Sequence, residues 1–461
     1  MMRVFTLAEI AQCLESPLDA GVGARLVSGV STDTRAIEAG DLFVALRGEH
    51  FDAHAFLETA KERGAVGAVV NRDALLPQID GLPLLVVDDT RQALGRISAL
   101  NRAAFKGSVI AVTGSCGKTT VKEMMAAILA EMGPVLATKG NLNNDVGVPL
   151  TLFALSEQHR SAVIELGASA VGEIAYTAAL ARPCVAVLTN AGEAHLEGFG
   201  GYAGVVRAKG EIVSALAADG IAVLNADDPA FDVWRTLAGQ RNVMACSLEG
   251  RPAAYQLADI EPLEDGWQFT ARGPEGWACT IQLPMPGRHN LLNALMAIAA
   301  TRAVGATDEA VVAGLHKLAP VPGRLQRHAV SDEVLLIDDS YNANPTSMRA
   351  AIDLLAARNG LRCLVVGDMA ELGDDEVVLH EQVGAYAASA GIDRLFACGR
   401  FAGAYARGFG EQAQVFDDQA NLVSALLALQ VGSGALTLLV KGSRSAGMDR
   451  VVKQLLMKGT A

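Results

Sequence analysis

The run Val109-Ile110-Ala111-Val112-Thr113-Gly114-Ser115-Cys116-Gly117-Lys118-Thr119-Thr120 leaves this chain few folds to choose from. Four apolar residues read as a short buried strand, a glycine-bearing turn follows, and Lys-Thr-Thr opens a helix. Val121, Met124, Met125, Ile128 and Leu129 recur at helical spacing, and Gly133-Pro134 stops the run. Strand, glycine loop and helix N-terminus make a cradle for anions, because backbone N–H groups and the helix dipole point at the same place. The residues Gly114, Ser115, Cys116, Gly117, Lys118, Thr119 and Thr120 would cup phosphates. Lys118 would reach the outer ones, and the Thr119 hydroxyl would hold Mg²⁺. The usual spacing is G-x-x-x-x-G-K-[ST]. Val112 stands where the first glycine belongs and Gly114 supplies it instead, so the loop is a shortened variant, T-G-x-x-G-K-T-T.

A chain of 461 residues has room for about three domains. Hydrophobic residues make up 51% and aromatics 5%, which suits an α/β protein rich in Ala, Val and Leu. The net charge of −13 argues against nucleic acid or an anionic membrane as a main partner. Bound nucleotide would then need placed local cations. Seven cysteines without a C-x-x-C pair read as reduced thiols in a cytoplasmic protein. Cys116 is either a small loop filler or a thiol acidified by its loop. Met1 to Glu15 carries no signal peptide, and no run of about 18 apolar residues spans a membrane.

Residues 1–106 read as a first unit, with strands at 41–46, 65–70 and 83–87 and a helix at 55–63. Its polar stretch Ser31-Thr32-Asp33-Thr34-Arg35 is either a capped turn or a receptor for an anionic ligand. The second unit, 107–319, alternates strands at 109–113, 162–166, 184–189 and 221–225 with helices, the pattern of a mostly parallel sheet. Ligands in such sheets gather beyond the strand C-termini. Glu165, Thr189-Asn190 and Asn225 fall there, and His195 follows closely. After Pro284-Met285-Pro286-Gly287, Asn290 leads into a helix at 291–304 that is apolar on nearly every side, hence buried. The segment Pro320-Val321-Pro322-Gly323-Arg324 opens a third unit, 320–461, doubly wound around strands at 334–338, 362–367, 394–398 and 436–440. Neither outer unit carries G-x-G-x-x-G.

A carboxylate attacking a nucleotide's terminal phosphate meets repulsion of about 4 kcal/mol per close charge pair at an effective dielectric near 20. An acidic protein must answer with metal ions and a few cations. Thr119 and Glu165 could share one Mg²⁺. His195 alone is a packed histidine or a ligand, and Lys209 is a helix-face lysine or a site residue. Asn141 to Pro149, with Asn143 and Asn144, is a turn whose amides satisfy backbone or a ligand loop. Asp338-Asp339-Ser340-Tyr341-Asn342-Ala343-Asn344-Pro345 is a ligand contact or an Asx-rich helix cap.

Together the stretches 114–123, Gly140-Asn141-Leu142-Asn143-Asn144, Ala194-His195-Leu196-Glu197-Gly198-Phe199-Gly200, Ala208-Lys209-Gly210-Glu211-Ile212, 338–345 and Lys441-Gly442-Ser443-Arg444 resemble the Mur ligase family across all three units. The resemblance implies an α/β protein of three domains: a smaller N-terminal α/β domain, a central P-loop ATPase-type mostly parallel sheet, and a C-terminal Rossmann-like doubly wound domain. It implies an ADP-forming amide ligase joining D-alanyl-D-alanine to UDP-N-acetylmuramoyl-tripeptide through an acyl phosphate, in the cytoplasm, as a monomer. The family's sister signature for adding the third stem residue, Asp-Asn-Pro-Arg, is absent. ATP and two Mg²⁺ ions are implied, one ion on Thr119 and Glu165, the other on His195 and a carbamylated Lys209. Asn290 would meet adenine, Arg324 the phosphates, Asp339 the ribose, and Ser31, Asp33 and Arg35 the UDP end. Asn143, Asn144, Asn342, Asn344, Lys441 and Arg444 would serve the substrates. Two positions depart from the family pattern: Ala53 stands where Gly is expected, and no Pro precedes Gly172-Glu173-Ile174. A folylpolyglutamate synthase-like ligase is an alternative that would lack the first unit. A P-loop nucleotide switch or transport ATPase is the alternative from another class.

Overall fold

The computed structural model describes residues 2–19, 21–48, 51–75, 79–193, 196–319, 321–331, 333–429 and 435–459. Three sheets, taken in chain order, organise it. The first has four parallel strands in sequence order, Gly29–Ser31, Asp41–Val44, Gly67–Asn71 and Leu84–Val87. A small pair, Phe5–Thr6 with Leu26–Val27, lies apart from it. The expected helix at 55–63 begins earlier, as a 3₁₀ turn Ala53–Phe56 running into Leu57–Glu62. The Asp52 carboxylate caps that turn by accepting from His54 N. Ala53 sits buried there with an ordinary backbone, so the strain that a left-handed conformation would impose does not arise.

The central sheet has nine strands. The four legible in the sequence, Ser108–Thr113, Ser161–Glu165, Val185–Leu188 and Ile221–Asn225, are its contiguous parallel centre. They are buried on both faces, which is why they read as unbroken apolar runs. Ile110, Val112, Val163, Val187 and Val223 face the helix His289–Arg302. Val109, Ala111, Ile164, Ala186 and Leu224 face the helices Glu173–Ala181 and Tyr202–Ser214 on the other side. The helix His289–Arg302 is buried along most of its length, as its composition requires, though it starts two residues before the expected Leu291. Asn242–Ser247 and Tyr255–Leu263 extend the parallel sheet, and Gly266–Arg272 and Ala278–Leu283 add an antiparallel edge. No proline precedes the helix Glu173–Ala181. Gly172, at φ 94°, turns the chain into it, and the Glu173 carboxylate accepts from Ser169 N at 2.7 Å.

The third sheet runs Gln326–Ala329, Val334–Asp339, Leu436–Lys441, Leu361–Val366, Arg394–Cys398, Ala413–Phe416, antiparallel only at the first pair. The chain leaves Val334–Asp339, steps outward three times, and returns to insert Leu436–Lys441 beside it. Asp339 and Lys441 thereby become Cα partners at the strand ends, at the crevice where such sheets bind ligands.

The phosphate-loop helix, Lys118–Ala130, is clamped from behind by Asp308–His316. A Cβ on Gly314 would lie 2.5 Å from Ile128 Cα and 2.6 Å from Ile128 N, closer than any side chain tolerates. Gly314→Ala must part the two helices and should cost about 1–3 kcal/mol of stability. Urea unfolding will read this as a lower midpoint at constant slope, and an unchanged midpoint would show that the helices are free to separate.

Candidate active site

The phosphate loop needs glycine at two points. Gly117 has φ 82° and Gly114 φ 144°, and a Cβ on Gly114 would run into Thr189 Oγ1. The loop is braced by the end of the neighbouring strand. Ser115 N donates to Asn190 O at 3.0 Å and Cys116 N to Asn190 Oδ1 at 2.9 Å. Thr189 Oγ1 and Asn190 Nδ2 both donate to Cys116 O, at 2.6 and 3.1 Å. Gly192 N donates to Ser115 Oγ at 2.8 Å. No side chain caps the helix that follows, which leaves its first-turn N–H groups for an anion. Lys118 folds back on the loop, its Nζ donating to Gly114 O at 2.6 Å. Burial holds its pKa below the ordinary lysine value, against the pull of Glu165.

Glu165 ends the strand next to the loop strand, in register with Val112. Its Oε1 accepts from Asn143 Nδ2 at 2.9 Å, whereas its Oε2 is buried with no partner among the described residues. Its backbone N donates to Thr138 Oγ1, and Thr138 O accepts from the buried Lys122 Nζ at 2.7 Å. A buried carboxylate oxygen left bare is costly unless a cation meets it. Among the described residues no three His, Cys, Asp or Glu converge as a metal cage. One bare carboxylate near a hydroxyl and a phosphate loop is the donor set that Mg²⁺ uses when phosphates complete its shell.

Lys209 is 2% exposed. Its Nζ reaches Ala168 O at 3.4 Å and lies 5.0 Å from the Phe199 ring. Burial, helped by the nearby Lys118 charge, brings its pKa down to about 7. His195 lies outside the described residues.

Across the cleft, Arg324 Nη2 donates to Thr119 Oγ1 at 2.9 Å, and its guanidinium lies 4.3 Å from the Tyr341 ring. Asp339 and Lys441 pair at 2.6 Å, both largely buried, while Leu325 N donates to the other Asp339 oxygen. Lys441 also donates to Asn342 O at 2.9 Å, and the Asn342 side chain is exposed. Asn344 caps the helix Pro345–Ala356, and its Nδ2 sits 3.2 Å from Cys116 Sγ, joining third unit to phosphate loop. Asn290 is buried, its amide donating to Pro286 O and accepting from Asn293. Asn144 Oδ1 accepts from Gly147 N, the turn function open to it from the sequence.

These parts enclose one cleft of ≈ 470 Å³, walled by the phosphate loop, Glu165, Asn143, Asn290 and the Asp339–Asn344 stretch, with Arg444 at its edge. Ser31, Asp33 and Arg35 do not line it. There the capped turn is formed: Asp33 caps Thr34–Ala36 and binds Arg35 at 2.7 Å, which brings the Asp33 pKa to about 2. Thr189-Asn190 and Glu165 stand at strand ends as the sequence places them, but that the first braces the loop and that Lys122 and Thr138 support the second is not legible there. Their signal is a strand register, which spacing along the chain does not carry.

Three family descriptions match successive parts of the chain: Mur ligase family, catalytic domain, over 26–102; Mur ligase middle domain over 112–301; and Mur ligase, glutamate ligase domain, over 323–444. The chain is 46% identical over 458 residues to the UDP-N-acetylmuramoyl-tripeptide–D-alanyl-D-alanine ligase of Escherichia coli K12, covering 99% of each. It superposes with a TM-score of 0.92 on a crystal structure of MurF from Acinetobacter baumannii, at 37% identity, over 99% of this chain and 100% of that one. The MurF ligase of Thermotoga maritima in complex with ADP matches at 0.83 and 28% identity, over 93% and 97%. A phosphate loop facing a doubly wound unit across a shared cleft defines a multi-unit nucleotide-dependent α/β protein. The chain belongs to the Mur ligase family.

Lys209 gives a pH signature. Between about 7 and 10.5 the unfolded chain holds a proton there that the folded chain has lost, so stability rises with pH across that window and is indifferent to it below. In CO₂-free buffer, Lys209→Met should flatten that part of the rise in urea midpoint. An identical slope in both proteins would mean that Lys209 keeps its ordinary pKa.

Proposed function

We propose that the protein joins D-alanyl-D-alanine to UDP-N-acetylmuramoyl-tripeptide at the expense of ATP, yielding UDP-N-acetylmuramoyl-pentapeptide, ADP and phosphate. One observation carries the reading: the phosphate loop, the bare Glu165 oxygen and the Asp339–Asn344 stretch face a single cleft. It is supported by 46% identity, over nearly the whole chain, to a ligase of that name. Residues 1–106 would receive the UDP end, with Ser31 and an Arg35 released from Asp33. Residues 107–319 would bind ATP, and 320–461 would present the dipeptide through Asn342, Asn344 and Arg444. Absence of a helix long and apolar enough to cross a membrane, among the described residues, fits work in the cytoplasm. The protein would act as a monomer.

Glu165 Oε2 and the Thr119 hydroxyl would hold one Mg²⁺, which when bound offsets phosphate charge that otherwise repels the incoming carboxylate. Arg324 now donates to that hydroxyl and would move onto the phosphates beside Lys118. Asn290 would meet adenine and Asp339, steadied by Lys441, the ribose. Lys209, with a pKa lowered to about 7, holds a large share of the neutral amine form that adds CO₂: its nitrogen forms a bond to carbon, loses a proton, and becomes a carbamate. With His195 it would serve a second Mg²⁺.

The stem carboxylate attacks the γ-phosphorus as the bond to ADP breaks, leaving an acyl phosphate. The dipeptide amine then attacks the acyl carbon, phosphate departs with the bonding pair, and the amine loses its proton. Holding the reactants in one cleft supplies most of the acceleration, and closure over it keeps water from the acyl phosphate.

Purified protein with Mg²⁺ should release phosphate and ADP only when ATP, UDP-tripeptide and D-Ala-D-Ala are all present. Hydrolysis of ATP alone at the full rate would mark a nucleotide switch, and AMP among the products would exclude the acyl phosphate. Lys209→Ala should lose about 10²-fold or more of kcat, the scale of removing one preorganised electrostatic group. Short carboxylic acids should partly restore it, and a fully active Ala variant would dismiss the carbamate.

A further inference from the structure

Tyr341 enters none of the roles above, yet two cations of the cleft converge on its ring. Arg324 Cζ lies 4.3 Å from the ring centroid and Arg444 Cζ 5.9 Å. Arg324 belongs to the segment joining the central and third units, and Arg444 to the turn after Leu436–Lys441, the strand beside Val334–Asp339, which Tyr341 closely follows. The ring's place is fixed by backbone. Tyr341 N donates to Gly323 O at 3.1 Å, and Gly323, at φ 69°, comes so near that a Cβ there would lie 3.1 Å from Tyr341 Cβ. Among the described residues Arg324 has no carboxylate in salt-bridge contact, and Arg444 feels the charge of Asp449 without closing on it. Two like charges brought to one spot repel, and the electron-rich ring is the group both share. Without it the Arg324 guanidinium keeps, among the described residues, the Thr119 hydroxyl, the contact it would give up on moving to the phosphates.

We propose that Tyr341 is a positioning residue that couples the two ends of the cleft by seating Arg324 on the phosphate side and Arg444 on the dipeptide side. This rests on the proposed ligase reading for what each end binds. The ring, not the hydroxyl, does the seating. An aromatic face is retained by Tyr341→Phe and lost in Tyr341→Leu and Tyr341→Met.

In steady-state assays Tyr341→Leu should raise KM for ATP and for D-Ala-D-Ala about tenfold each, the scale of a partly desolvated cation–π contact. KM for UDP-tripeptide should stay within about twofold. Tyr341→Phe should return both raised values towards those of the parent. Calorimetric titration with a non-hydrolysable ATP analogue and Mg²⁺ should show the same loss. That readout needs no turnover, so it stands even if the dipeptide proves not to be the acceptor. Tyr341→Met should repeat the Leu result and serves in its place if the Leu variant does not fold. A variant with a lowered melting temperature or kcat but unchanged KM values would make Tyr341 a packing residue and overturn the proposal. Failure of Phe to restore binding would overturn it as well.

Discussion

The hydrogen bonds that tie Ser115 and Cys116 to Thr189 and Asn190 are the constraint on which the site depends. A loop shortened at its first glycine has fewer residues with which to hold its own curve. The neighbouring strand holds it instead, with Asn190 accepting from two loop amides and returning a bond to Cys116 O. The arrangement works only because the two strands are adjacent and parallel, so that both end at the same edge. The buried sheet centre and the shape of the anion cradle are therefore one property seen at two scales.

Charge is distributed with similar economy. The protein carries a net charge of −13, yet its cleft holds Lys118, Lys209, Arg324, Lys441 and Arg444 in or near its walls. Most are already committed: Lys118 to its own loop, Arg324 to a hydroxyl and a ring, Lys441 to Asp339. The exception runs the other way, a carboxylate oxygen of Glu165 that no donor among the described residues reaches. Cations with interim partners can be released to an anion at small cost, whereas a bare anion favours arrival of a metal.

Legibility in the sequence followed burial. Strands covered on both faces announced themselves as apolar runs, so the centre of each sheet was visible at 109–113, 162–166, 334–338 and 436–440. Asn242–Ser247, mostly half-buried, and Ala278–Leu283, which mixes exposed with buried positions, do not form unbroken apolar runs and were not read. At the site, Lys118, Thr119 and Glu165 were legible because a loop and a strand end are local features. The pairing of Asp339 with Lys441 was not, because it joins residues 102 apart through sheet order. Each had been assigned a ligand of its own, and the fold first gives them to each other. At Ser31–Arg35, where two readings stood equal, local hydrogen bonds form the capped turn.

The place of Leu436–Lys441 has a consequence for how the molecule comes into being. This strand lies inside the third sheet, between two strands made about 75 to 100 residues earlier, and is translated after both. Until it leaves the ribosome, Val334–Asp339 and Leu361–Val366 have no partner between them and Asp339 has no lysine. The phosphate loop, wholly within the first two-thirds, can already be folded by then. A nascent chain thus acquires its nucleotide cradle early and its second wall only once Lys441 has emerged, a gap during which two open apolar strand edges need shelter.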